Sequence, residues 1–193
     1  MASEREPLVS VVVPVMNEAE CLPRLHSALR AVCDALPFRF EYVFVESGST
    51  DATVEVLAEL RCHDECVRYL VLSRNFGHQA ALSAGLEHAA GDAVVMMDGD
   101  LQHPPEVIPR LLEKWREGYE VVNTARVETE AAPAFKRLWS WVFYRVFNGS
   151  TIVAIEPGGA DFRLMARVAV DALNALPERH RFLRGLVPWL GFR

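Results

Sequence analysis

The chain has 193 residues, 51% of them hydrophobic and 24% charged, enough to bury a sizeable core in a single domain spanning 1–193. A formal net charge of −6 argues against general binding to nucleic acid, and no run reaches the roughly 18 apolar residues of a spanning helix. The N-terminus is polar and the four cysteines, Cys21, Cys33, Cys62 and Cys66, match no strong zinc pattern, so free thiols in a reducing cytoplasm are expected.

Residues 8–15, LVSVVVPV, form a continuous β-branched run, the pattern of a strand buried on both faces. A helix is expected over 17–36, where Leu22, Leu25, Leu29, Val32 and Leu36 fall at helical spacing. A second strand covers 41–46. A second helix covers 48–61, with Ser49 or Thr50 as its N-cap. A third strand (67–73) leads to a third helix (77–90) whose small residues suit close packing. The fourth strand is 92–98. The helix over 104–118 starts at proline and ends at glycine, and 119–126 is a fifth strand. Beyond it lie a loop (127–134), an aromatic-rich helix (135–148), an irregular glycine-bearing stretch (154–165), a helix (166–176) and a closing segment.

Strands alternating with helices imply βαβ units, a mostly parallel sheet flanked by helices, and hence an α/β protein. In such sheets ligands bind beyond the carboxyl ends of the strands. The polar residues there are Asn17 and Glu18, Glu46 to Asp51, Arg74 to His78, Asp98 to His103, and Arg126. The sharpest signal is VMMDGDLQHPP, where an apolar strand ends in Asp98 and Asp100. On an extended chain residues two apart point the same way, and paired carboxylates repel unless a cation joins them. Hard oxygen ligands select magnesium or manganese, Gln102 adds a carbonyl, and Gly99 leaves room for close approach. The plainer reading is that one aspartate caps the next helix and the other is solvated. Likewise His78 and His103 read as hydrogen-bonded structural residues, and Asp51 as a first-turn helix acid. Dinucleotide and P-loop fingerprints are absent. A phosphatase with aspartate as nucleophile would carry this motif on its first core strand, not its fourth.

The segments VVVPVMNEAE, VFVESGSTDAT, LSRNFGHQAALSAGL, MMDGDLQHPPE and GADFRL, in this order, resemble family 2 glycosyltransferases. The likeness is greatest to the group of dolichol-phosphate mannose synthases and undecaprenyl-phosphate glycosyltransferases, and it covers residues 8–193. The resemblance implies a GT-A-type, Rossmann-like sandwich. It also implies inverting transfer of a sugar from a UDP- or GDP-sugar to a polyprenyl phosphate, with Mg2+ or Mn2+ as cofactor. Residues 8–126 would bind the nucleotide sugar and 127–193 would face the acceptor. Pro14, Val15, Asn17 and Glu18 would line base and ribose. Glu46, Ser47, Arg74, Gln79, Asp98, Gly99 and Asp100 would complete the donor site. Asp98, Asp100 and Gln102 would hold the metal. Asp161 matches an acid near the acceptor, the candidate base, and Arg126 and Arg163 match positions that grip phosphate.

Two departures stand out. The family pairs two acids before GSTD, where this chain has Glu46 and Ser47. Members of the group also continue past the equivalent of Arg193 into juxtamembrane helices, so the chain reads as shortened. Residues 133–193 carry nine Lys/Arg against four Asp/Glu, leaving −11 on the rest. With the aromatic helix, this points to a peripheral position on the cytoplasmic face of a membrane; burial or a contact between copies of the chain is the simpler reading of that helix. A saccharide acceptor, and a non-catalytic nucleotide-sugar binder, are the competing readings.

Overall fold

Valines dominate the centre of the molecule. In β1 (Leu8–Val15) every residue from Val9 onward is buried, and β1 pairs in parallel with β2 (Arg39–Glu46) on one side and β4 (Ala93–Met96) on the other. The computed structural model describes residues 6–125, 159–178 and 180–193. Within these, β3 (Val67–Val71), β5 (Val121–Ala125) and β6 (Gly159–Ala166) extend the sheet to six strands in the order β3-β2-β1-β4-β6-β5. β6 runs antiparallel to both its neighbours.

The period-two alternation of β1 divides the core. Val9, Val11, Val13 and Val15 face α1 (Leu22–Cys33), α2 (Thr53–His63) and α4 (Ile108–Arg116), packing with Leu25, Leu29, Leu57 and Leu112. Val12 faces the other way, into a cluster built by α3 (His78–His88), α5 (Arg167–Asn174) and α6 (Leu183–Trp189). α3 lies so close that a Cβ on Gly85 would sit 2.3 Å from Val12 Cγ1. The small residues of that helix are therefore a packing requirement.

The sequence expectations differ from the structure in four places. The stretch read as irregular contains β6. Its strand pattern is disguised because Asp161 and Arg163, two apart and both buried, occupy positions where an apolar alternation would be sought. The first helix begins at Leu22 rather than Asn17. The second begins at Thr53, whose backbone N–H is capped by the Asp51 carboxylate; Ser49 and Thr50 are engaged elsewhere. The fourth strand stops at Met96, so Asp98 to Asp100 are set by a bend and not by extended backbone. Arg126, the aromatic helix and the loop before it lie outside the described residues.

Candidate functional site at the β1–β4 switch point

The sheet's strand order reverses at β1, whose two parallel neighbours lead away in opposite directions. Crevices for ligands open at the carboxyl ends of strands at such a point. The loops after β1 and β4 meet there. A Cβ on Gly99 would lie 3.1 Å from Val15 Cγ1 and 3.3 Å from the Pro14 carbonyl oxygen, so the two loops pack tightly at this glycine. The Cys21 thiol donates to the Gly99 carbonyl at 3.3 Å. Pro14 and Val15 themselves are buried within the strand.

A lattice of hydrogen bonds ties the neighbouring loops. Asn17, in the left-handed region at φ 57, accepts from Thr50 N through Oδ1 at 2.8 Å, and its own N–H donates to Ser49 Oγ at 2.9 Å. Glu18 N donates to Thr53 Oγ1 and Ala19 N to Asp51 Oδ2. Asp51, whose carboxyl is held below its ordinary value chiefly by the Thr53 hydroxyl, is thus a tie between loops. Gly48 packs against Asn75 N, which a Cβ would approach to 2.8 Å. Glu46 is buried and accepts from Ser49 N. Ser47 is buried too, and its hydroxyl has no hydrogen-bond partner among the described residues. Arg74 is exposed, with its guanidinium 4.2 Å from the centre of the Phe76 ring.

The two aspartates after β4 have different surroundings. Asp100 is exposed and accepts from Gln102 N at 3.0 Å. Asp98 lies between two histidines. Its N–H donates to His103 Nδ1 at 3.0 Å, and buried His103 stacks on Phe162 with ring centres 5.2 Å apart. Its Oδ1 lies 2.8 Å from His78 Nε2. This hydrogen bond is the main cause that holds the Asp98 carboxyl below its usual range and raises the His78 imidazole above its own.

β6 completes the site through its register. Met96, the last residue of β4, is opposite Arg163, so Asp161 and Asp98, each two residues beyond that pair, lie at the same end of it. His78 spans the gap, with Nδ1 3.9 Å from Asp161 Oδ2. Asp161 is only 4% exposed and is held by Arg184 through a two-pronged pair, Nε–Oδ1 at 2.9 Å and Nη2–Oδ2 at 2.8 Å. Arg163 lies 3.8 Å from the same carboxylate, and burial pushes its guanidinium below its ordinary value. Gln79 is turned toward the C-terminal segment, where its Oε1 accepts from Leu183 N. Sequence reasoning missed Arg184 because it belongs to the closing segment, in which no motif stands out. It set His78 aside as structural, although its place directly after SRNFG at a strand end was a signal.

Asp98, Asp100 and Gln102 are hard oxygen donors suited to magnesium or manganese. The loop tips also carry an excess of negative charge. The Glu18 carboxyl is raised by burial and then by Asp100 and Asp51, and a divalent cation fits that excess. Among the described residues no three His, Cys, Asp or Glu side chains are grouped to hold a metal ion.

The residue pattern of glycosyl transferase family 2 matches residues 10–171. The chain belongs to that family. It is 42% identical over 184 residues to the uncharacterized glycosyltransferase YkcC of Bacillus subtilis, covering 95% of this chain and 57% of that protein. It is 42% identical over 183 residues to the bactoprenol glucosyl transferase of Shigella phage SfV, covering 95% and 60%. The chain thus spans somewhat under two thirds of the length of these relatives. Among solved structures it is similar to the mannosyltransferase PcManGT from Pyrobaculum calidifontis in complex with GDP-Man and Mn2+. The TM-score is 0.65 at 21% identity, over 98% of this chain and 54% of that one. The glucosyl-3-phosphoglycerate synthase of Mycobacterium tuberculosis, solved with Mn2+ and UDP, gives 0.53 at 23%, over 84% and 58%. The fold is of the GT-A type, with a mostly parallel sheet flanked by helices, as the motifs implied.

Proposed function

We propose that the chain is a catalytic domain, 1–193, of an inverting glycosyltransferase that moves a sugar from a UDP- or GDP-sugar to a polyprenyl phosphate at the cytoplasmic membrane surface. The observation that carries this reading is the Asp98–His78–Asp161–Arg184 row. It joins the loop suited to a nucleoside diphosphate to an acid gripped by arginine, at the switch point of the sheet. Relatives named bactoprenol glucosyl transferase, at 42% identity, support the lipid acceptor. No helix among the described residues is long and apolar enough to cross a membrane.

Asp98, Asp100 and Gln102 would hold a magnesium or manganese ion, which when bound offsets charge on the departing diphosphate. The loops after β1 and β2, with Asn17, Glu18 and Ser47, would take base and ribose. The acceptor oxygen would attack the anomeric carbon from the face opposite the diphosphate, through a transition state of oxocarbenium character. A phosphate monoester is already largely ionised at neutral pH, with a second pKa near ~6, and needs no base. This suits Asp161: both its oxygens are engaged by Arg184, and accepting a proton would mean breaking that pair. Its role is then to set Arg184 and Arg163 for the acceptor's anionic headgroup. A saccharide hydroxyl would instead require Asp161 as general base.

The test is turnover of UDP- and GDP-sugars with undecaprenyl phosphate and with free saccharides, in Mg2+, Mn2+ or EDTA. Metal-dependent transfer to the lipid phosphate is expected. Transfer confined to saccharides, or abolished specifically by Asp161→Asn on saccharides while lipid transfer is absent, would overturn the lipid assignment.

A further inference from the structure

We infer that His78 contacts the transferred sugar and sets its position between leaving group and acceptor. This rests on the donor and acceptor reading above and deepens it. If the diphosphate lies at Asp98 and Asp100 and the acceptor at Asp161, the sugar ring has to lie alongside the line that joins them. His78 is the residue that spans it, 2.8 Å from Asp98 Oδ1 and 3.9 Å from Asp161 Oδ2. The other histidine at the site cannot serve. His103 is buried and covered by the Phe162 ring.

His78 is also held in place while staying accessible. It opens α3 with its side chain 43% exposed. Asp98 fixes Nε2, and Gln79, itself anchored on Leu183 N, brings its amide nitrogen to 3.5 Å from Nδ1. The Asp98 carboxylate can only accept, so Nε2 carries the proton, and Nδ1 on the opposite edge, facing Asp161, is open to a sugar hydroxyl that replaces the long Gln79 contact. An imidazole presents an apolar face and a polar edge, which matches the C–H face and hydroxyl edge of a pyranose. A side chain fixed by its neighbours before the ligand arrives is what positioning a reacting group demands.

The experiment compares the wild-type protein with His78→Ala and His78→Gln. Calorimetric binding is measured for UDP, UDP-glucose, GDP and GDP-mannose in Mn2+, together with kcat and KM for transfer to undecaprenyl phosphate. The readout is the affinity advantage of each nucleotide sugar over its bare nucleotide. For whichever nucleotide the wild type binds, both variants should bind the bare nucleotide within about twofold of wild type. His78→Ala should shrink the sugar's advantage about five- to tenfold, the worth of one hydrogen bond, and His78→Gln, which keeps a hydrogen-bonding side chain, should recover part of it. Equal loss for nucleotide and nucleotide sugar would overturn the assignment, because His78 would then act only through Asp98. Unchanged binding and turnover in both variants would overturn it as well. A wild-type protein that binds none of the four would overturn the donor reading itself, and the assignment with it.

Discussion

Arg184 and Asp161 are joined by two parallel hydrogen bonds of 2.9 and 2.8 Å, so the last helix of the chain completes a site whose other parts lie on strand ends. Arg184→Ala strips both close hydrogen bonds from a carboxylate that is 4% exposed, leaving Arg163 at 3.8 Å and His78 at 3.9 Å nearby. An unsatisfied buried acceptor costs about 1–3 kcal/mol, and this loss should appear in urea unfolding. Arg184→Lys keeps the charge but not the fork and should fall between. Transfer to lipid phosphate should drop at least about tenfold in kcat/KM, a loss of about 1.4 kcal/mol of transition-state stabilisation.

The Asp98–His78 pair predicts a pH window. The Asp98 carboxyl is lowered, so its contribution is present above its unfolded pKa and lost as pH falls through the folded value. The His78 imidazole is raised, so its contribution is full below its unfolded pKa and lost as pH rises through the folded value. In metal-free buffer, the stability difference between wild type and His78→Ala should be largest between about pH 4 and 6.5. It should fade on either side, as followed by thermal melts across pH.

Gly48 should tolerate no side chain. Its φ of +77 is left-handed, and a Cβ would meet the Asn75 backbone nitrogen at 2.8 Å. Left-handed backbone alone costs an alanine roughly 1–2 kcal/mol, and the contact is with backbone that cannot swing aside. Gly48→Ala should therefore lower the melting temperature. It should also weaken nucleotide binding, because the loops after β2 and β3 must part.

Ser47 separates folding from binding. Its buried hydroxyl has no partner among the described residues, so Ser47→Ala should leave stability unchanged or raise it by about 1 kcal/mol. If the hydroxyl serves the nucleotide, the same variant should bind UDP or GDP several-fold more weakly in calorimetry. Equal nucleotide affinity would remove Ser47 from the donor site.

The parallel half of the sheet is legible in the sequence because its strands are β-branched runs and its helices carry a 3.6-residue stripe. Val9 to Val15 and the Leu22, Leu25, Leu29 series leave little choice. The place of the acids after β4 is legible too, because Asp98 and Asp100 directly follow a buried apolar run. β6 is not. Asp161 and Arg163 interrupt its apolar pattern, and the register that sets Arg163 opposite Met96 and Asp161 near His78 is a long-range pairing of which local sequence carries no trace. Without that register the row through His78 to Arg184 cannot be assembled. The cap of α2 was misassigned because Ser49 and Thr50, good caps in isolation, serve the loop after β1 instead.

The pairing of Ala125 with Gly159 has a consequence for how this protein can vary. The sheet closes the circuit between β5 and β6 by itself, so residues 126–158 leave and re-enter the framework at neighbouring points. Lengthening such an excursion is thermodynamically cheap, about 0.6 kcal/mol for each doubling. Insertions and deletions in that span can therefore accumulate while the β5–β6 pairing stays as it is.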